Sequence, residues 1–519
     1  MSTKIDPRLI YSGHSLFLDY VSQRECALRL FHRAPSDFEA SAAARSRIAI
    51  PRQDASAALH RYNERLGASA ISLSNIAALS DRSSLCVLGG QQAGFLGGPA
   101  YTLYKILTVI RTAAKLQADL GVRVIPIFWL ATEDHDFTEI NRVRFLEEDG
   151  SLRTVSFEWS ERGLPIESLP ITPELRLVAD EILGRIPDEA EKVRELFSPE
   201  ADDDYSTWHA RIWSRLFADE GLVLVEPRII RPLAGRFYQD ALSRSDEVAA
   251  AIREGADAVR ASGYNPSLDP ERVGRVFHID PSGQRGRIDD PTPHIEAALA
   301  TPEAYSADVA LRPILADALF PTVASVLGPS EIAYHAMLLP LYRLFEIPQP
   351  VFVPRCGYTL LSGAEAELLK RLDVSIESAL SAEFDPKASL SKASSSELRD
   401  AFAEARQQVD SVLRDLLPSL SELDPGLEAR WRQTSSNVGQ AIDRLEERAA
   451  RADLARRGLS SKGLHALLTS LRPTGKPQER ALSFVHLAAR FGLEWIKHLP
   501  GPERPDGFAH YAVTIQGGE

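Results

Sequence analysis

Residues 85–130 constrain the fold of this chain more than any other stretch. Leu85-Cys86-Val87-Leu88 is a short apolar run ending in Gly89-Gly90, the pattern of a strand buried on both faces. A glycine-rich loop, Gln91 to Pro99, follows it, and Pro99 suits the first turn of a helix. Residues 100–120 then place Leu103, Ile106, Leu107 and Ile110 at helical spacing, with Lys105, Arg111 and Lys115 between them. Gly121 closes the helix as a C′ glycine would. Residues 122–130 read as a second buried strand. Strand, glycine loop, helix and strand make a βαβ unit, and such units build parallel sheets.

The remaining pattern extends this into an α/β protein. Further buried strands are expected at 222–225, 321–327 and 350–353. One or two antiparallel strands are expected within 142–159, and short strands and turns at 276–280, 282–289 and 306–312. Residues 230–260 read as one long helical stretch, and 477–499 as a single amphipathic helix with Phe484, Leu487 and Phe491 on one face. From residue 398 the rhythm changes. Leu398, Phe402, Ala405, Val409, Val412 and Leu416 recur at steps of four and three, and Trp431, Ser435, Val438, Ile442, Leu445 and Ala449 repeat that period after a turn spanning Pro418 to Pro425. This predicts an antiparallel coiled-coil hairpin, which either braces the chain from within or, as a protruding apolar seam favours, pairs with a second copy. With 519 residues the chain divides into a helical lead-in (1–80), an α/β core (81–380) with an insertion at about 142–225, the coiled-coil arm (381–460), and a helical C-terminal segment (461–519) packing on the core.

Charge and cysteine usage exclude several classes. A net charge of −13 argues against a nucleic-acid binder, which needs a basic face. The N-terminus lacks the apolar core of a signal peptide, and no apolar run is long enough to span a membrane. A cytoplasmic protein is therefore expected, with no membrane and no nucleic acid among its partners. The three cysteines, Cys26, Cys86 and Cys356, lie far apart and offer neither a CxxC pair nor a disulfide framework. Cys356, next to Arg355, is the one with a cationic neighbour that could favour a thiolate.

Three strand ends carry the chemistry, because open α/β sheets bind ligands at the carboxyl ends of their strands. The first is Gly90-Gln91-Gln92, continuing through Gly94, Gly97 and Gly98. Closely spaced glycines let backbone N–H groups approach an anion, and Tyr101 and Lys105 lie one helical turn apart beyond them. The spacing is neither GxGxxG nor GxxxxGK[ST], so it does not specify a nicotinamide site or a P-loop. The second is Glu133-Asp134-His135-Asp136, three carboxylates and an imidazole at the end of a buried strand. Such crowding shifts pKa values toward general acid–base use, and the same group could hold Mg²⁺. The third is Gly328-Pro329-Ser330-Glu331, where Glu331 and Tyr334 share the first turns of a helix. Arg312 and Arg355 are the candidate clamps for a carboxylate or phosphate.

These residues resemble a known family. Gly90 to Pro99 with Tyr101, Thr102 and Lys105, then Phe128 to Phe137 with Glu139, Ile140 and Asn141, are similar to two signature segments of the bacillithiol biosynthesis cysteine-adding enzymes, the BshC family. Leu311-Arg312-Pro313, Leu327 to Tyr334, and Gln478-Glu479-Arg480 look like further shared segments, so the resemblance spans nearly the whole chain. Ser330 departs from it, since the family often has glycine there. The resemblance implies a Rossmann-like core related to class I aminoacyl-tRNA synthetases with connecting insertions, a coiled coil that makes a homodimer, and an ADP site near that coiled coil. The reaction it implies is a ligase step that joins L-cysteine to glucosaminyl-malate through an amide bond, with ATP activating the carboxyl. Read onto the residues, Glu133, Asp134, His135 and Asp136 are the expected catalytic group: His135 or Asp134 deprotonates the amine, and Asp136 orients His135 or holds a metal. Gly90, Gln91, Gln92, Gly94, Gly97, Gly98, Tyr101, Lys105, Asn141, Arg312, Glu331, Tyr334 and Arg355 are the expected binding group. The alternatives are another adenylate-forming or nucleotidyl-transfer enzyme, although no HIGH or KMSKS sequence is present, and an inactive coiled-coil scaffold.

Overall fold

A computed structural model describes the chain apart from residues 1, 135, 148, 160–163, 188–189, 387, 390–394, 505 and 517–519. Its centre is a five-stranded, all-parallel sheet. The strands lie in the spatial order Val223–Val225, Val124–Leu130, Leu85–Gln91, Thr322–Leu327, Val351–Pro354. Numbered along the chain this is 3-2-1-4-5, the doubly wound order, and the sequence of connections reverses at Leu85–Gln91. The expected βαβ unit forms as read. Val124–Leu130 is buried along its whole length, and helix Tyr101–Leu120 ends at Gly121 in the left-handed conformation (φ 67°). That helix packs closely on the first strand. A Cβ built at Gly89 would stand 2.5 Å from Val109 Cγ2, so the position admits no side chain.

Two excursions leave this sheet. Residues between strands two and three contain the antiparallel pair Arg142–Leu146 and Leu152–Ser156. Residues between strands three and four contain a small antiparallel sheet in which Val276–Ile279 lies between Arg285–Arg287 and Tyr305–Ala307. The long helical stretch expected over 230–260 is two helices, Gly235–Ser243 and Ser245–Ala261, divided at Arg244 (φ −112°, ψ 28°). Residues 306–312 change from strand to helix, since Leu311–Leu319 begins there, capped by Asp308.

The ends of the chain meet. Ser2–Ile5 pairs antiparallel with His510–Ile515, which pairs parallel with Gly357–Ser362. The lead-in is thus helical except for its first strand. The tail is not one helix but Gln478–Ala481, Phe484–Phe491 and a 3-10 turn at Glu494–His498. Its break has a clear cause. Leu482 is extended, so its carbonyl accepts the Ala100 N–H (3.0 Å), while Ser483 and Phe484 donate to Arg144 and Gly98 carbonyls (3.1 and 2.8 Å). Backbone pairing to the glycine loop outcompetes one more helical turn.

The arm consists of helices Ser396–Leu423 and Leu427–Arg456. Trp431 Nε1 donates to Leu413 O (2.6 Å), and Arg406 pairs with Asp443 and Glu446 (2.6 and 3.0 Å), so the two helices run antiparallel. The first helix continues through Pro418, and the turn is confined to residues 424–426. Pro418 is exposed, so water can satisfy the carbonyl that its missing N–H leaves without a partner. Among the described residues, no helix is long and apolar enough to cross a membrane.

Candidate active site

A cavity of about 480 Å³ opens at the carboxyl ends of the first, second and fourth strands, where the connections reverse direction. Gly90, Gln91, Gln92, Tyr101, Lys105, Glu133, Asp134, Arg312, Glu331, Tyr334 and Arg355 of the expected set all line it. So do Glu139, Arg285, Asp308 and Arg480, which were not expected there.

Lys105 binds the strand ends together. Its buried ammonium donates to Gly90 O (2.7 Å), Gln91 Oε1 (2.9 Å) and the Glu331 carboxylate. Burial pulls its pKa down, partly opposed by Glu331. Glu331 also accepts the Gly328 N–H (2.7 Å). It is occupied in capping its helix and pairing with Lys105, which leaves little of it for a substrate.

Glu133 is the least satisfied group at the site. It is 3% exposed, and neither carboxylate oxygen has a hydrogen-bond partner among the described residues. Its backbone is fixed because the strand end is stitched on both sides: Ala131 N donates to Gln91 O (2.9 Å), and Glu167 N to Thr132 O (2.9 Å). Burial raises the carboxyl pKa, although Arg231, Arg285 and Arg312 oppose it electrostatically. Arg231 itself is held by Glu167 (Nη2–Oε2 2.8 Å). A carboxylate without hydrogen bonds inside a ring of guanidinia is poised to take a proton or a cationic group.

Asp134 accepts from Gln92 Nε2 (3.3 Å), and the adjacent Glu139 is raised by burial and by Asp136 and Asp134. Asp136 is turned elsewhere. It is exposed, does not line the cavity, and caps helix Phe137–Ile140 by accepting from Thr138 N and Oγ1 (3.2 and 2.7 Å). Its expected orienting or metal role gains no support from this geometry. His135 lies outside the described residues. Among the described residues no cluster of three potential metal-ligating groups occurs.

Three further expectations meet a different arrangement. Gly94, Gly97 and Gly98 are buried and line no part of the cavity. The loop folds on itself so tightly that a Cβ at Gly94 would stand 2.6 Å from Gly98 Cα, and Gly97 (φ +83°) packs against Phe484, Phe197 and Trp213. These glycines serve a close turn, not an anion cradle. Asn141 is buried away from the cavity and donates to Phe157 O (3.2 Å). Arg355 lines the cavity, but its guanidinium is engaged by Glu479 (3.0 and 2.6 Å). Burial alone would lower its pKa; Glu479 more than offsets this and raises it. A clamp role would have to break that pair. Burial pushes the Cys86 thiol up to about 12 and the Cys356 thiol up to about 11, which disfavours the nucleophilic thiolate at both positions.

Sequence reasoning missed Arg285, Asp308 and Arg480 because each reaches the cavity from an excursion or the tail. Arg285 lies over the Phe277 ring (4.0 Å) and donates to Ser306 Oγ (2.8 Å). Only the Gln478-Glu479-Arg480 resemblance signalled the last of the three.

Comparison with known proteins agrees with this architecture. Residues 4–356 match the family model described as bacillithiol biosynthesis BshC, N-terminal Rossmann-like domain, and residues 358–515 match that of the BshC C-terminal coiled-coil domain. The chain is 32% identical over 488 residues to a protein of Geobacillus thermodenitrificans named "Putative cysteine ligase BshC", covering 88% of this chain and 89% of the relative. Relatives with the same name in Geobacillus kaustophilus and Symbiobacterium thermophilum are each 30% identical, at 88% and 89% coverage.

Proposed function

The chain belongs to the BshC family of bacillithiol biosynthesis, and on that premise we propose that its cavity joins the carboxyl of L-cysteine to the amine of glucosaminyl-malate. One observation carries the chemical part of this reading: Glu133, a buried carboxylate without hydrogen bonds, faces a cavity lined by Arg285 and Arg312. Amide formation requires an amine that loses a proton as it attacks. Glu133 accepts that proton, and its upward-shifted pKa suits the transfer. The surrounding guanidinia hold the negative charge that develops on the acyl oxygen. ATP, when bound, supplies the group that turns the cysteine carboxylate into an acyl donor, with Mg²⁺ neutralising its phosphates. Arg285 and Arg312 suit phosphate oxygens. Asp134 and Glu139 would hold Mg²⁺: burial first, and then the charges of Asp136 and Asp134, raise Glu139, and a cation would relieve that like-charge crowding.

The test is direct. Purified protein given cysteine, glucosaminyl-malate and Mg·ATP should consume ATP only when both other substrates are present, and should yield the cysteinyl amide by mass spectrometry. Absence of product with all three present rules the reading out.

The arm is assigned to pairing with a second copy. Val412, Leu416, Leu423 and Leu445 are 61%, 50%, 79% and 60% exposed, so the hairpin leaves part of its apolar seam uncovered. Sedimentation velocity should show a dimer for the full chain and a monomer for a Leu416→Glu, Leu445→Glu variant whose helix content by circular dichroism is unchanged. A variant that stays dimeric removes the arm from the interface.

A further inference from the structure

Five basic side chains line the cavity: Lys105, Arg285, Arg312, Arg355 and Arg480. Three are engaged by hydrogen bonds or ion pairs within the protein, and a fourth, Arg312, faces the carboxylates of the site. Lys105 is held by Gly90, Gln91 and Glu331, and Arg355 by Glu479. Arg285 donates to Ser306 and Ala307, and Arg312 lies in the field of Glu133, Glu331 and Asp134 at the reacting end of the cavity. Arg480 differs. Its side chain is exposed and makes no hydrogen bond or ion pair with a described residue. Its charge still reaches the cavity wall, where it lowers the pKa of Tyr101 against the larger effect of burial.

The backbone that carries Arg480 is unusually well fixed for a four-residue helix. Gln478 is 1% exposed, accepts Leu360 N (2.7 Å), and donates to Leu360 O and Ser470 O (both 2.9 Å). Glu479 is fully buried. It binds Arg355, the Tyr11 hydroxyl (2.9 Å) and the Tyr358 N–H (3.2 Å). On the other side, Leu482 and Phe484 are stitched to Ala100 and Gly98. Two buried neighbours and a backbone seam thus hold one uncommitted guanidinium at the open edge of the site. Pre-organised in this way, its planar fork loses little on binding a carboxylate.

We propose that Arg480, brought to the Rossmann cavity by the C-terminal segment, is the specificity-determining residue that receives a carboxylate of the malyl group. This rests on the substrate reading given above. It divides the work among the arginines: Arg285 and Arg312 face Glu133 and the reacting groups, while Arg480 reads the substrate's far, anionic end. The cavity is then incomplete without the C-terminal segment.

Two measurements on the full-length protein test it. Titration with L-malate alone should show binding to the wild type that Arg480→Gln weakens by at least about tenfold and Arg480→Lys by less, as expected for a charge-assisted bidentate contact. In steady state, Arg480→Gln should raise KM for glucosaminyl-malate by a similar factor, leaving KM for cysteine and the thermal midpoint unchanged. Unaltered malate affinity in Arg480→Gln, no malate binding to the wild type, or an equal rise in both KM values overturns the proposal. If malate binding depends on Arg480 but no amide forms, the carboxylate subsite stands and the ligase reading falls.

Discussion

Glu133→Gln is expected to lower kcat for amide formation by about 10²–10⁴-fold, the usual span for removing a general base, with little change in either KM. The same substitution should leave the protein at least as stable as before. A buried carboxylate without hydrogen bonds is held against its desolvation penalty, and the neutral amide of equal shape removes that charge. The pH dependence has a definite sign. Burial raises the folded-state pKa of Glu133 above its ordinary 4.5, so the wild type is penalised above that raised value. The penalty is relieved as pH falls and is gone once both folded and unfolded states are protonated. The thermal midpoint of Glu133→Gln should therefore exceed that of the wild type at pH 8, and the gain should vanish near pH 4. Near-normal turnover removes Glu133 from proton transfer. Destabilisation at pH 8 shows instead that the carboxylate accepts hydrogen bonds in the folded protein.

Glu479→Ala should give the largest loss of stability, about 3–5 kcal/mol by chemical denaturation, because it leaves the buried Arg355 guanidinium without its counter-charge. Tyr11 and the Tyr358 N–H lose an acceptor in the same step. Burial alone would raise the Glu479 pKa, but Arg355 more than offsets it and holds the group below 4.5. Its stabilising contribution is thus present above that value and lost as pH falls through the depressed folded-state pKa. The difference between wild type and Glu479→Gln should narrow below about pH 4.5. A loss under 1 kcal/mol for Glu479→Ala would mean that water or another acceptor replaces the carboxylate.

The parts of the site that could be read along the chain are those made by local pattern. Leu85–Gln91 and Val124–Leu130 are buried on both faces, so their strand character is written in continuous apolar runs. Tyr101–Leu120 carries a helical period and a glycine stop. Their junctions place Gly90, Gln91, Lys105, Glu133 and Asp134 around one cavity, as the pattern predicts. The outer glycines misled because a loop that cradles an anion and a loop that packs on aromatic rings use the same residue. The tail misled because helical spacing says nothing about a competing backbone partner, and Leu482 found one in Ala100.

The chain's local order thus settles the parallel core, the arm, and the strand ends where chemistry belongs, since periodicity and strand termini are properties of neighbouring residues. Which of the charges there remain available is a tertiary outcome. Lys105 meets Glu331 across 226 positions and Arg355 meets Glu479 across 124. Arg480 reaches the cavity only because its two neighbours are buried elsewhere. Charge neutralisation depends on distance in space, and no spacing along the sequence encodes it.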